Sequence, residues 1–259
     1  KRSVESHKGL YGRVAIIAGS KGMGGAGILA SEASLFCGSG LINLYTHNSN
    51  VQASLERNPE IMAIGVENHK RVKGNFDVIL IGPGFTANKW SKEMSKCMYL
   101  NAANGLIIDA GALSYTDKIQ SQNNKNLILT PHPGEAGTLL GISAKEVQLH
   151  REESAIAIAN KYNASAVILK GYNTLVHIKD EHETFMCKDG GPELATGGTG
   201  DVLAGIICAL LAQNLSLKES CLLAVASHAK AGENFVEDIG EIGLNASILI
   251  PIVRKILNK

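Results

Sequence analysis

Arg13-Val-Ala-Ile-Ile-Ala18 runs directly into Gly19-Ser-Lys-Gly-Met-Gly-Gly-Ala-Gly27. A short aliphatic run, a glycine-rich turn and then the small-residue stretch Ala26 to Cys37 read as strand, tight loop and helix. The unit recurs along the chain. Continuous apolar runs at Leu41 to Thr46, Asp77 to Ile81, Leu106 to Asp109, Asn126 to Thr130 and Ala166 to Lys170 suit strands of a parallel sheet, buried on both faces. Thr174 to Ile178 and Glu183 to Cys187, on either side of the polar turn at Asp180, read instead as an antiparallel hairpin. Helices are expected at Ala26 to Cys37, Lys89 to Ala103, Ala144 to Tyr162, Gly200 to Gln213, Leu217 to Val236 and Ala246 to Leu257. The stretch Gly200 to Gln213 is apolar almost all round and should be buried. The fold class expected is α/β, a mostly parallel central sheet with helices on both faces. Ser114 to Lys125 is the polar segment nearest to a mobile connection, and residues 1–259 read as one domain.

Composition narrows the function. With 25 Lys+Arg against 24 Asp+Glu in 259 residues, the chain has no field to attract nucleic acid or an anionic membrane. No apolar run is long enough to span a bilayer. Cys37, Cys97, Cys187, Cys208 and Cys221 lack CxxC spacing, which argues against a disulfide framework or a zinc site and suits a reducing cytoplasm. The first residue is Lys1, so a preceding domain is an open expectation.

Four glycine or proline loops follow strands, where ligands of open α/β sheets bind. Gly19 to Gly27 could converge amides on a phosphate or dinucleotide, but it is neither GxGxxG nor a Walker loop, and a tight strand-to-helix turn explains it equally well. Ile81-Gly-Pro-Gly-Phe85 permits close backbone approach or is a simple turn. In Thr130-Pro-His-Pro-Gly-Glu135 two prolines hold His132 and Glu135 rigidly; a solvated loop histidine is the plainer reading. Ala195-Thr-Gly-Gly-Thr-Gly-Asp201 carries most information, because successive glycines and a helix N-terminus make an anion hole with a carboxylate one residue beyond. That is the minimum equipment for phosphorylating an alcohol, although Asp201 could simply complement the helix dipole. Cys208 reads as a packing residue, His228 as a packing or capping residue, Cys187 as no nucleophile, and no metal ligand is assigned.

Taken in order, these loops resemble the ADP/ATP-dependent NAD(P)H-hydrate dehydratases of the ribokinase-like superfamily. The likeness runs through His7-Lys-Gly-Leu-Tyr-Gly-Arg-Val14, Ala18 to Ala26, Gly38-Ser-Gly-Leu-Ile42, Asn58-Pro-Glu-Ile-Met62, the GPG loop, TPHPGE, Lys170-Gly171 and Ala195 to Asp201. The GGTGD loop is shared with small-alcohol kinases of the hydroxyethylthiazole and hydroxymethylpyrimidine type. The first loop and TPHPGE together point to the dehydratase.

The resemblance implies that hydrated NADH or NADPH (NADHX, NADPHX, S epimer) loses water as ADP or ATP is consumed. It implies Asp201 as general base, hydrate contacts at Ala26, Gly84, His132 and Asp201, and nucleotide contacts at Lys170, Gly171, Tyr172, Asn173, Thr174, Gly198, Thr199 and Gly200. Magnesium bridging the nucleotide phosphates is implied, with Glu135 or Asp109 helping through water. A homo-oligomer, with a tetramer favoured, and a fused epimerase domain are further expectations. One departure stands in Asp109-Ala-Gly-Ala-Leu113, where the family often has an acidic residue at the position of Gly111. The rival readings are a small-alcohol kinase and a nucleotide sensor without turnover.

Overall fold

The computed structural model describes residues 4–118 and 126–259. Nine strands form one sheet in the order β3-β2-β1-β4-β5-β6-β7-β8-β9. They are Arg13–Ile17 (β1), Leu41–Thr46 (β2), Met62–Gly65 (β3), Phe76–Ile81 (β4), Ala102–Ile108 (β5), Leu127–Leu129 (β6), Ala166–Leu169 (β7), Leu175–Ile178 (β8) and Glu183–Met186 (β9). Pairing is parallel from β3 across to β7 and antiparallel for β7 with β8 and β8 with β9, so the expected hairpin closes one edge. Strand alternation sends Val14 and Ile16 to one core, and Ala15 and Ile17 to the core on the opposite face.

The first core packs beneath helices α1 (Gly24–Phe36), α7 (Thr199–Ala212), α8 (Leu217–Asp238) and α9 (Ala246–Leu257). All of α7 is buried except Gly200 and Asp201, so the burial expected of this stretch holds and the two exceptions mark where the helix meets solvent. Gly205 is required where α7 crosses α1, since a Cβ there would overlap the Ala30 carbonyl. The second core lies under α3 (Lys89–Met94), α4 (Pro133–Leu140), α5 (Ala144–Leu149) and α6 (Arg151–Tyr162). Helix α2 spans Val51–Arg57.

Three expectations are corrected. The helix expected over Lys89 to Ala103 stops at Met94, passes through a 3₁₀ segment at Ser95–Tyr99 and gives way to β5 at Ala102. The Ser95 hydroxyl donates back to the Lys92 carbonyl at 2.9 Å, and the tighter turn drops Cys97 and Met98 into the core. Ala144 to Tyr162 is two helices, broken at His150 (φ −132°, ψ 58°). Within Ser114 to Lys125, the part up to Lys118 belongs to the 3₁₀ segment Ala110–Lys118, and 119–125 lies outside the described residues. Strand β3 and helices α2 and α4 were not expected from sequence.

Candidate active site

Sheet order reverses between β1 and β4, the place where an open α/β sheet forms its crevice. The loops leaving these two strands are hydrogen bonded to each other. Gly19 N donates to Pro83 O at 2.9 Å, Ser20 N to Gly84 O at 3.1 Å and the Ser20 hydroxyl to the same carbonyl at 2.7 Å. Asn50 Nδ2 ties down the first loop by donating to Gly19 O at 2.7 Å. Gly84 has φ +68°, and a Cβ there would sit 3.0 Å from Ala26 Cβ, so the two predicted hydrate contacts are neighbours.

The TPHPGE segment proves to be a helix start rather than a free loop. His132 is the N-cap of α4: its Nδ1 accepts from Gly134 N and Glu135 N, Pro133 is the first helical residue and Glu135 Oε2 accepts from His132 N at 2.8 Å. Only Nδ1 is committed to the cap, and the half-exposed side chain leaves Nε2 3.5 Å from Glu135 Oε1.

Behind it lies a charged cluster. Lys170, following β7, donates to Asp109 Oδ1 at 2.7 Å, and its Nζ stands 4.0 Å from Glu135 Oε2. Asp109, 1% exposed, also accepts from the Thr130 hydroxyl at 2.7 Å. Burial works against the Lys170 charge, but Asp109 and Glu135 outweigh it and hold the amine above its ordinary value.

Gly198 adopts φ +93° as N-cap of α7, a conformation that suits glycine. The amides of the following turn have no intrahelical acceptors and carry the positive end of a fourteen-residue helix. Asp201 is on that turn. Its pKa is lifted to about 7, first by burial and then by Asp109, with Lys170 pulling the other way and Glu135 adding to the rise. A Cβ on Gly200 would meet only Lys170 Nζ, at 3.5 Å, so the Lys170 amine faces the first turn of α7.

On the far side of Gly200 a cavity of about 380 Å³ opens between the β7–β8 loop and α8. Lys170, Gly171, Tyr172, Thr174, Thr199 and Gly200 line it, as expected, together with apolar Leu194, Leu203 and Val225. Asn173 (φ +56°) and Gly198 shape the loops without lining the cavity. Sequence reasoning treated His228 as a packing or capping residue. It does bond the Thr199 carbonyl through Nε2 at 2.9 Å, but it also forms part of the cavity wall. Burial pushes its pKa down to about 4, so the ring is neutral, Nε2 carries the proton and Nδ1 is an acceptor. Among the described residues the cysteines are free thiols, Cys208 is fully buried, and no group of three or more His, Cys, Asp or Glu could hold a metal ion.

The family model for NAD(P)H-hydrate dehydratase matches residues 14–255. The chain belongs to the NAD(P)H-hydrate dehydratase family. It is 36% identical over 245 residues to the ADP-dependent (S)-NAD(P)H-hydrate dehydratase of Staphylococcus aureus, covering 92% of this chain and 87% of that protein. It is 39% identical over 262 residues to the bifunctional NAD(P)H-hydrate repair enzyme of Coxiella burnetii, covering all of this chain and 53% of that one. The chain thus spans about half the length of the bifunctional relatives it matches. The crystal structure of the ADP/ATP-dependent NAD(P)H-hydrate dehydratase from Bacillus subtilis, co-crystallised with ATP and Mg2+, superposes with a TM-score of 0.91 at 29% identity, covering 100% of this chain and 93% of that one. The mostly parallel sheet expected from the apolar runs, and the ribokinase-like fold implied by the resemblance, are therefore the fold of this chain. No helix among the described residues is long and apolar enough to cross a membrane.

Proposed function

We propose that this chain dehydrates (S)-NADHX and (S)-NADPHX to NADH and NADPH, converting ADP to AMP and phosphate, or ATP to ADP and phosphate. The observation that carries the reading is Asp201. It stands on the first turn of a buried helix, where that helix meets solvent, next to Gly200 of the cavity wall and within the field of Asp109, Lys170 and Glu135. A carboxylate whose pKa lies near the working pH suits a general base. Asp201 accepts the proton of the ring hydroxyl, and that oxygen takes the terminal phosphoryl group. Phosphate is a better leaving group than hydroxide. The ring-nitrogen lone pair expels it, and loss of the neighbouring ring proton restores the dihydropyridine.

The hydrate lies against Ala26, Gly84 and His132. The nucleotide fills the cavity between Lys170–Thr174 and α8, with the amides of Gly198, Thr199 and Gly200 directed at the transferred phosphoryl. Three carboxylates, Asp109, Glu135 and Asp201, face the single amine of Lys170, an excess of negative charge that fits a divalent cation. With no protein cage among the described residues, magnesium would be held mainly on the nucleotide phosphates, with Asp109 or Glu135 reaching it through water; it would neutralise charge in transfer.

We read residues 1–259 as one dehydratase domain, acting in the cytoplasm as a homo-oligomer, most simply a tetramer, which light scattering tests. An epimerase that interconverts the hydrate epimers, in a joined or separate domain, is the partner activity. Mixing the protein with NADHX, magnesium and ADP or ATP should return the near-ultraviolet absorbance of NADH. Accumulation of a phosphorylated alcohol instead would identify a kinase, and nucleotide binding without turnover a sensor.

A further inference from the structure

Arg151 opens α6 immediately after the break at His150. Its Nη2 donates to the carbonyl of Leu169 at 3.0 Å and to that of Asn173 at 3.3 Å, and Nη1 donates to Gln148 Oε1 at 2.7 Å. Leu169 ends β7 and Asn173 lies just ahead of β8, so one guanidinium joins both shoulders of the loop Lys170 to Thr174. The ends of that loop are tied by Lys170 N to Pro131 O at 2.9 Å, Lys170 Nζ to Asp109 Oδ1 at 2.7 Å and Cys187 N to Thr174 O at 2.9 Å, and Thr174 Oγ1 donates to Gly171 O at 2.8 Å; between them Gly171 (φ +128°) and Asn173 (φ +56°) both hold positive φ. Gly171 packs against the guanidinium, since a Cβ there would lie 3.3 Å from Nη1.

The cation is retained at a cost. No carboxylate among the described residues pairs with it, its Nε has no acceptor, and burial lowers its pKa. The two hydrogens of Nη2 meet the two carbonyls while Nη1 holds Gln148, so one rigid plane serves three acceptors at fixed angles, which the rotatable ammonium of lysine does not reproduce.

We infer that Arg151 is a positioning residue for the nucleotide, standing behind the cavity wall and holding the loop whose Lys170, Gly171, Tyr172 and Thr174 line it. The inference rests on the nucleotide reading of that cavity. Titration calorimetry with ADP and magnesium on the parent, Arg151→Ala, Arg151→Gln and Arg151→Lys tests it, with thermal melts as a check of folding. Two charge-assisted hydrogen bonds support an expected rise in ADP Kd of about 10-fold to about 100-fold for Ala and Gln, and a smaller one for Lys. Added guanidinium ion should restore part of the affinity of Arg151→Ala. In turnover the KM for ADP should rise, while kcat and the KM for the hydrate stay within about threefold.

Parent-like ADP affinity in folded Arg151→Ala would overturn the inference, as would an equal loss in kcat and hydrate KM. If Arg151→Ala does not fold, Arg151→Lys decides, and an unchanged Kd there refutes it. A parent protein that binds neither ADP nor ATP would sink the nucleotide reading itself, a result distinct from normal parent binding with an indifferent Arg151 variant.

Discussion

Asp201→Asn keeps the shape of the side chain and removes its ionisable proton. In the folded chain the carboxyl is lifted from 3.8 to about 7, by burial first and by Asp109 next. Between those pH values the folded state holds a proton that the unfolded chain has released. Stability contributed at this site therefore falls as pH rises, and above pH 7 the ionised carboxylate costs the fold about 4 kcal/mol. The Asn variant carries no such cost. Without nucleotide it should exceed the parent by up to about 4 kcal/mol at pH 8, or about 10 °C in Tm for a domain of this size, and lie within about 1 kcal/mol of it at pH 4.5. Titrations of groups not coupled to Asp201 are common to the two proteins and cancel in the difference. Turnover should move the opposite way, down by about 10²–10⁴-fold, and parental kcat/KM should rise with pH through a limb near 7. Urea titrations of both proteins at the two pH values provide the assay. A stability difference of the same size at both, or near-normal turnover in the variant, would refute the reasoning.

Gly200→Ala should fold, because the added Cβ meets only Lys170 Nζ, yet lose at least about tenfold in ADP affinity by intruding on the proposed phosphate site; ADP calorimetry beside a melt checks this. Lys170→Met should cost about 3–5 kcal/mol by leaving Asp109 charged and buried, and adding Asp109→Asn should recover most of that in urea titrations. Removing Lys170 also takes away a group that lowers the Asp201 pKa, so any residual activity should have its pH limb shifted upward. At His228, held down to about 4 by burial, the unfolded chain takes up a proton first as pH falls below 6.5. Stability should then drop by up to about 3 kcal/mol toward pH 4, and His228→Gln should flatten this part of the profile.

Most of the strands that sequence revealed are buried on both faces, their apolar runs leaving no ambiguity of period, while the exposed Glu183–Met186 was legible from the polar turn ahead of it. Leu41–Thr46 and the helix Ala246–Leu257 have the expected bounds. Met62–Gly65 was passed over although it sits in the apolar run Ile61 to Val66; it is a four-residue strand at the sheet edge, partly exposed. In TPHPGE, proline at the first helical position and glutamate at the third were a legible helix start; reading the prolines as loop stiffeners hid it. The glycine-led start of α7 with Asp201 in its first turn was legible since glycine and acid adjoin in sequence. The Asp109–Lys170 pair was not, because its members are brought together only by β5, β6 and β7 lying side by side. Nor could spacing reveal that Arg151 reaches two carbonyls of a loop twenty residues downstream. Gly111, where the family often has an acid, has a local reason: a Cβ there would overlap the Phe85 carbonyl, so the GPG loop lies hard against it.

The bonded pair of loops across the sheet's point of reversal gives biosynthesis a fixed order. On the proposed reading the hydrate contacts at Ala26 and Gly84 are in place once Phe85 has cleared the ribosome and His132 follows, whereas the nucleotide wall waits for Val225 and His228 of α8. At ordinary translation speeds that interval lasts roughly 7 to 30 s. Through it the nascent chain carries half of a two-substrate site, and nucleotide can assist folding only after nearly the whole domain has emerged.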